Sequence, residues 1–372
     1  MKEISIERVC NYFETQKGKV TLGIDGFVDD VWEIVQVRNS PTDYVLYEQM
    51  KDFAKSVYDT GAGGYSNEIV RKRRGHGGFT AHAGEAVKNL GVDLTLVGMF
   101  GKDGNTSIDT VFSKEFQDTC KIYSVWDAAN CPIYEFTSGK ILMMDLETVV
   151  NFDWDDLTAA LSPEDLSAAY KDANLVGMGY WSMMNKFDNL VAKLCENTIK
   201  PGTRVFFDFA DIRKRTKEAL MDMLGLLARL NDERPMSLSL NEHEAVILFS
   251  NLDRPFDWKN PEVADKDIGY VRQQLGLDEV IVHTPFFAVA ATASEGTAVV
   301  RQRYCENPVL TTGAGDNFNG GYMSASAQKG SLNLHERLLV ANATTGFYIR
   351  NGFAPNRSQL KTEMEQIYSI LT

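Results

Sequence analysis

The sequence predicts an α/β fold with a mainly parallel central sheet and helices on both faces. Short β-branched or aliphatic runs alternate with longer amphipathic segments along most of the chain, and 44% of the 372 residues are hydrophobic, enough for a large core around one sheet. The strand candidates are Val20 to Ile24, Leu94 to Met99, Leu175 to Gly179, Arg204 to Phe209, Ser237 to Leu240 and Val280 to His283. Between them lie helix candidates at Phe79 to Leu90, Pro163 to Tyr170, Lys186 to Asn197, Lys217 to Arg229 and Glu242 to Phe249; Ser162 is placed to cap the second. Alternation of this kind gives right-handed crossovers between parallel strands, and ligands of such sheets bind beyond the carboxyl ends of the strands.

Two stretches break the alternation. Residues 27–78 contain an amphipathic run from Asp43 to Tyr58 and a glycine-rich loop, Gly61-Ala62-Gly63-Gly64. Residues 119–145 read as extended, with Ser138-Gly139-Lys140 as a hairpin turn between Ile133–Phe136 and Ile141–Met144. With no repeat, low-complexity tract or linker, residues 1–372 read as a single domain carrying these two inserted segments.

A net charge of −13 argues against a nucleic-acid or anionic-membrane surface, and the main basic cluster, Arg71-Lys72-Arg73-Arg74, reads as a solvated strand or loop edge. The five scattered cysteines contain no Cys-x-x-Cys pair and indicate neither a disulfide framework nor a zinc site. No apolar run approaches the ~20 residues of a membrane helix, and the acidic start is unlike a signal peptide, so a cytoplasmic location is expected.

The chemistry concentrates at Thr311-Thr312-Gly313-Ala314-Gly315-Asp316, which runs into an apolar helix pattern. Glycines there let the backbone turn its N–H groups toward an anion, where the helix dipole also favours negative charge. Asp316 is the one side chain of the turn able to accept a proton. An anion hole beside a base suits phosphoryl transfer to an alcohol. In isolation, Gly-x-Gly-Asp is more often a tight turn with a capping Asp.

A second block shifts that balance: Gly77-Gly78-Phe79-Thr80-Ala81-His82-Ala83, then Leu90-Gly91, then Val97-Gly98-Met99-Phe100-Gly101-Lys102-Asp103-Gly104. Together the two blocks resemble the N- and C-terminal signatures of the ribokinase-like sugar kinases, the PfkB carbohydrate kinase family, over a span from about Val20 to Phe353. The resemblance implies a three-layer α/β/α fold with a small β lid built from residues 27–78 and 119–145. It implies ATP and Mg²⁺ as cofactors, a sugar or sugar-like acceptor, and a homodimer through the lid as one arrangement the family uses.

The same resemblance assigns residues. Asp316 is the general base, with Gly313, Ala314, Gly315 and Asp316 supplying the anion hole. Asp29, and next Asp25, Gly77, Gly78 and His82 bind substrate; His82 stands where the family usually has Asn and is equally compatible with a packed helix histidine. Asn241-Glu242-His243-Glu244 resembles the family's Asn-x-x-Glu, giving Asn241 and Glu244 to the metal, while Asn241, Thr312, Asn342 and Gly346 face the nucleotide. Arg213 and Arg215 are candidates to reach a phosphate, although each taken singly reads better as part of a surface charge cluster. Two departures stand out: Leu310 replaces the first Asp of the C-terminal signature, and His283-Thr284-Pro285-Phe286-Phe287-Ala288 replaces a glycine-containing phosphate loop. Those departures and His82 favour an alternative, a non-catalytic sugar or nucleotide sensor on the same fold, whereas the retention of Asp316, Asn241 and Glu244 opposes it. A nucleoside kinase is a second alternative, for which Tyr123, Trp126 and Tyr134 are the stacking candidates.

Overall fold

The computed structural model describes residues 4–102, 107–328 and 330–371; Asp103 and Gly104 of the N-terminal signature lie outside them. The strands in chain order are β1 (Lys19–Ile24), β2 (Phe27–Arg38), β3 (Tyr44–Leu46), β4 (Ile69–Gly77), β5 (Asp93–Gly98), β6 (Lys121–Ser124), β7 (Ala129–Phe136), β8 (Gly139–Leu142), β9 (Leu175–Gly179), β10 (Arg204–Asp208), β11 (Met236–Asn241), β12 (Glu279–His283), β13 (Phe287–Thr292) and β14 (Gly296–Arg301). Nine of them form one sheet in the order β14-β13-β12-β11-β10-β9-β1-β5-β6. All pairings from β12 to β6 are parallel, and β13 and β14 add an antiparallel edge.

Burial explains why β9 and the middle of β12 read as unbroken apolar runs. Every residue of β9 is buried, as is all of β1 after Lys19, because both faces of the sheet are covered. On one face Phe318, Tyr322 and Leu338 pack with Leu22, Phe206 and Ile281. On the other Leu190, Leu224 and Leu248 pack with Val176, Phe207 and Leu238. This is the three-layer arrangement, with the helix Ala314–Ser326 buried at each position from Asp316 to Ala325.

The second sheet joins β2, β3, β4, β7 and β8. β2 pairs antiparallel with β3 and β4 and parallel with β7, which pairs antiparallel with β8. Here the structure departs in detail from the sequence reading. The run from Asp43 to Tyr58 divides into β3, whose Val45 pairs with Val37, and a helix at Met50–Asp59 with no buried residue. The basic cluster Arg71–Arg74 is a stretch of β4, exposed on a strand whose polar sequence hides its pairing. The hairpin closes one residue earlier than expected, with Phe136 opposite Gly139. No helix among the described residues is long and apolar enough to cross a membrane.

Candidate active site

Successive strand ends of the central sheet deliver the polar groups of one cleft. Tyr180 follows β9, Asp208 ends β10, Asn241 ends β11 and His283 ends β12; with Asp316, Asp29 and His82 they line a cavity of about 390 Å³. A second cavity of about 510 Å³, bordered by Pro285, Tyr304, Asn342 and Thr345, shares Asn241, His243, His283 and Gly315 with the first. The two cavities therefore meet at the start of the helix Ala314–Ser326.

That helix start is held open. Gly313 is its N-cap at φ +80°, and no side chain caps it. The N–H of Ala314 donates to Thr311 O at 3.2 Å and that of Asn317 to Gly313 O at 2.9 Å. Among the described residues, those of Gly313, Gly315 and Asp316 have no acceptor within the protein, as the first turn of a helix requires. The turn is anchored from behind: Tyr348 donates its hydroxyl to Thr312 O at 2.6 Å, and Thr345 donates to Ala314 O at 2.8 Å. Lys140, from β8, bonds the Thr312 hydroxyl and brings a cation to the same mouth.

Asp316 is 6% exposed and accepts a hydrogen bond from the Tyr180 hydroxyl at 2.7 Å. Burial raises its carboxyl above the usual carboxylate range, while His82 and Tyr180 act in the opposite direction. A buried base of this kind lies closer to neutrality than a surface Asp, which suits proton abstraction. Tyr180 was not singled out from the sequence; its only signal there is its place one residue beyond a buried strand.

The two N-terminal carboxylates occupy different settings. Asp29 lines the cleft on β2, 3.9 Å from His82 Nε2, and a Cβ on Gly77 would run into its carboxylate. Asp25 is not among the lining residues; it accepts from the N–H groups of Phe79 at 2.8 Å and Thr80 at 2.9 Å, and from the Thr80 hydroxyl at 2.5 Å. Gly78 borders the cleft at φ +87°, and a Cβ there would meet Asp25. His82 borders the cleft with both ring nitrogens lacking a hydrogen-bond partner. Burial pulls its pKa down, but the attraction of Asp29 and Asp316 outweighs it and leaves the imidazole above its ordinary value.

On the opposite wall, Asn241 and Glu244 form a reciprocal capping box. Asn241 Oδ1 accepts from the N–H groups of His243 and Glu244, while Glu244 accepts from Asn241 N–H at 2.9 Å and Nδ2 at 2.7 Å. Burial and then the charge of Asp208 push Glu244 well above the ordinary carboxyl value. Asp208 is itself pushed to about 7, by burial and then by Asp316. Such buried, mutually repelling oxygens fit a divalent cation with oxygen preference, which would relieve the repulsion.

The remaining expected residues are dispersed. Asn342 borders the second cavity but donates to Val300 O at 3.0 Å, holding β14. Gly346 lines neither cavity; it faces the ion pair of Arg350 and Glu363. Arg213 borders the cleft paired to Asp211 at 2.7 Å, whereas Arg215 lies 4.2 Å over the Trp181 ring and outside it. Tyr123, Trp126 and Tyr134 line neither cavity. Phe286 and Phe287 turn their N–H groups to the Thr284 hydroxyl, so the stretch replacing the glycine loop is closed on itself. Burial lowers His283 to about 4 and its ring packs 4.7 Å from Phe318, keeping a neutral imidazole at the junction of the cavities.

A family model for prokaryotic ketohexokinases matches residues 8–367. A ketohexokinase of Haloferax volcanii is 26% identical over 353 residues, covering 92% of this chain and 90% of that protein. Among solved structures, Arabidopsis thaliana ribokinase complexed with ribose and ATP superposes with a TM-score of 0.65 at 15% identity, covering 94% of this chain and 99% of its own. Escherichia coli phosphofructokinase-2, in complex with substrates and products, gives a TM-score of 0.62 at 15% identity, with the same coverage of 94% and 99%. These likenesses carry the ribokinase-like fold.

Proposed function

The chain belongs to the prokaryotic ketohexokinase family, and from that premise we propose that this ATP- and Mg²⁺-dependent sugar kinase phosphorylates a hydroxyl of a ketohexose with Asp316 as its general base. The observation that carries the proposal is the position of Asp316, at an open helix mouth where two cavities join. The sugar occupies the cavity bordered by Asp29, Gly78 and His82, whose carboxylate and imidazole match vicinal hydroxyls. Its reacting hydroxyl gives its proton to Asp316 during in-line attack on the γ-phosphorus, and ADP leaves through the second cavity beside Asn342 and Thr345. The N–H groups of Gly313, Gly315 and Asp316 receive the equatorial oxygens, and Lys140 adds a positive charge through Thr312. Tyr180 orients the carboxylate by its hydrogen bond. Mg²⁺, when bound with ATP, neutralises phosphate charge, and Asp208, Asn241 and Glu244 offer it oxygens directly or through water.

Neither alternative gains support. A sensor has no need of a proton acceptor at the mouth, and a nucleoside kinase would need a stacking residue in the sugar cavity where Tyr123, Trp126 and Tyr134 do not reach. Val37, Val45, Tyr58 and Ile69 are exposed around the smaller sheet, which supports its pairing with a second copy as a lid-to-lid homodimer. Free cysteines and the demand for ATP support a cytoplasmic setting.

Incubation with Mg·ATP and a panel of ketohexoses, aldohexoses and nucleosides, read as ADP released, tests the function. Sustained release with a ketohexose is expected. Nucleotide binding without any sugar-dependent ADP, or turnover confined to nucleosides, would contradict it.

A further inference from the structure

Behind the sugar cavity, His76 near the end of β4 meets His82 and Glu85, which stand three residues apart on the helix Phe79–Asn89. Each offers one ligand atom, and these atoms all lie within 4.8 Å of one another. His76 Nε2 is 3.7 Å from Glu85 Oε2. His76 Nδ1 and both nitrogens of His82 are buried and have no hydrogen-bond partner, although His82 is only 7% exposed. Buried imidazole nitrogens are ordinarily satisfied, and an ion here would take one nitrogen from each ring.

We propose that His76, His82 and Glu85 form a binding site for a zinc-like transition-metal dication, separate from the magnesium oxygens at Asp208 and Glu244. Two imidazoles and one carboxylate are a donor set that zinc favours and magnesium does not. Tetrahedral coordination with bonds of about 2.0–2.2 Å sets its ligand atoms roughly 3.3–3.6 Å apart, so the cluster needs only a modest contraction. The carboxylate is already oriented, because Glu85 Oε1 accepts from the N–H of Ala354 at 3.2 Å. Water fills the fourth position. Since His82 borders the sugar cavity, the ion would fix the orientation of a residue that faces substrate.

The test uses the full chain, stripped of metal by chelator and then equilibrated with Zn²⁺ or Co²⁺ in the absence of nucleotide. One bound ion per chain is expected, with the visible bands of tetrahedral Co²⁺ and no thiolate charge-transfer band. His76→Ala should weaken Zn²⁺ binding by at least ~100-fold, more than loss of an outer-shell partner does, and Glu85→Gln provides a second reading if the first variant folds poorly. Absence of stoichiometric metal in the wild-type protein, a cobalt spectrum showing thiolate ligation, or unchanged affinity in a folded variant would overturn the site.

Discussion

The helices Phe79–Asn89 and Ala314–Ser326 begin alike and are completed differently. Each starts at a glycine with positive φ, Gly78 at +87° and Gly313 at +80°, and neither has a side-chain bond from its own N-cap residue. At the first, the buried carboxylate of Asp25 fills the mouth by accepting from Phe79 and Thr80. At the second, no protein group among those described takes that place, and the carboxylate present, Asp316, sits within the first turn and is bonded by Tyr180. The filled mouth displays the kind of group that the open one is built to receive, an anion with two or more acceptor oxygens. On the proposed function, the first carboxylate serves the fold and the second serves chemistry.

The largest effect that separates the two mouths is on turnover. Asp316→Asn keeps size and the Tyr180 contact but cannot take a proton, so kcat should fall by ~10²–10⁴ while nucleotide affinity stays within a few-fold. Steady-state rates alongside nucleotide titration check this, and a near-normal kcat would remove the distinction. Asp25→Ala should act on stability instead, lowering it by ~1–3 kcal/mol because two helix N–H groups and a hydroxyl lose their acceptor. Denaturant unfolding measures it; an unchanged midpoint would mean that the first mouth needs no filling.

The smallest effect concerns pH. An acid whose folded pKa is raised keeps its proton to higher pH, and a cation must displace that proton. With Asp208 at about 7 and Glu244 raised, Mg²⁺ affinity should fall as pH drops below about 7, by up to about tenfold per unit for one displaced proton. Calorimetry at pH 6 and pH 8 reads the difference. Equal affinities would detach these carboxylates from the metal.

What the sequence made legible were features carried within one contiguous segment. β1, β9, β10, β11 and β12 were visible because burial on both faces leaves short, mostly apolar segments, and the Gly313 turn because glycines and an acid adjoin a helix pattern. β13 was not, since Ala288, Ala290 and Ala291 have little strand propensity and are held in β13 by pairing and packing. β2 and β4 were hidden for the converse reason, a half-exposed sheet rich in charge. Asp25 and Asp29 could be ranked but not assigned from sequence, because the chain crosses from β1 of the large sheet to β2 of the small one between them. Tyr180 and Lys140 reach the site from segments more than a hundred residues from Asp316; Tyr180 is marked only by its place just beyond β9, and nothing local to Lys140 announces it.

The measurement that bears most directly on the open mouth is a structure with ketohexose, Mg·ADP and aluminium fluoride as a mimic of the phosphoryl group in transfer. The fluorides should accept from the N–H groups of Gly315 and Asp316 at about 2.7–3.1 Å, with the sugar hydroxyl between the mimic and the Asp316 carboxylate. A mimic bound away from those amides, or a sugar hydroxyl directed at another base, would contradict the account.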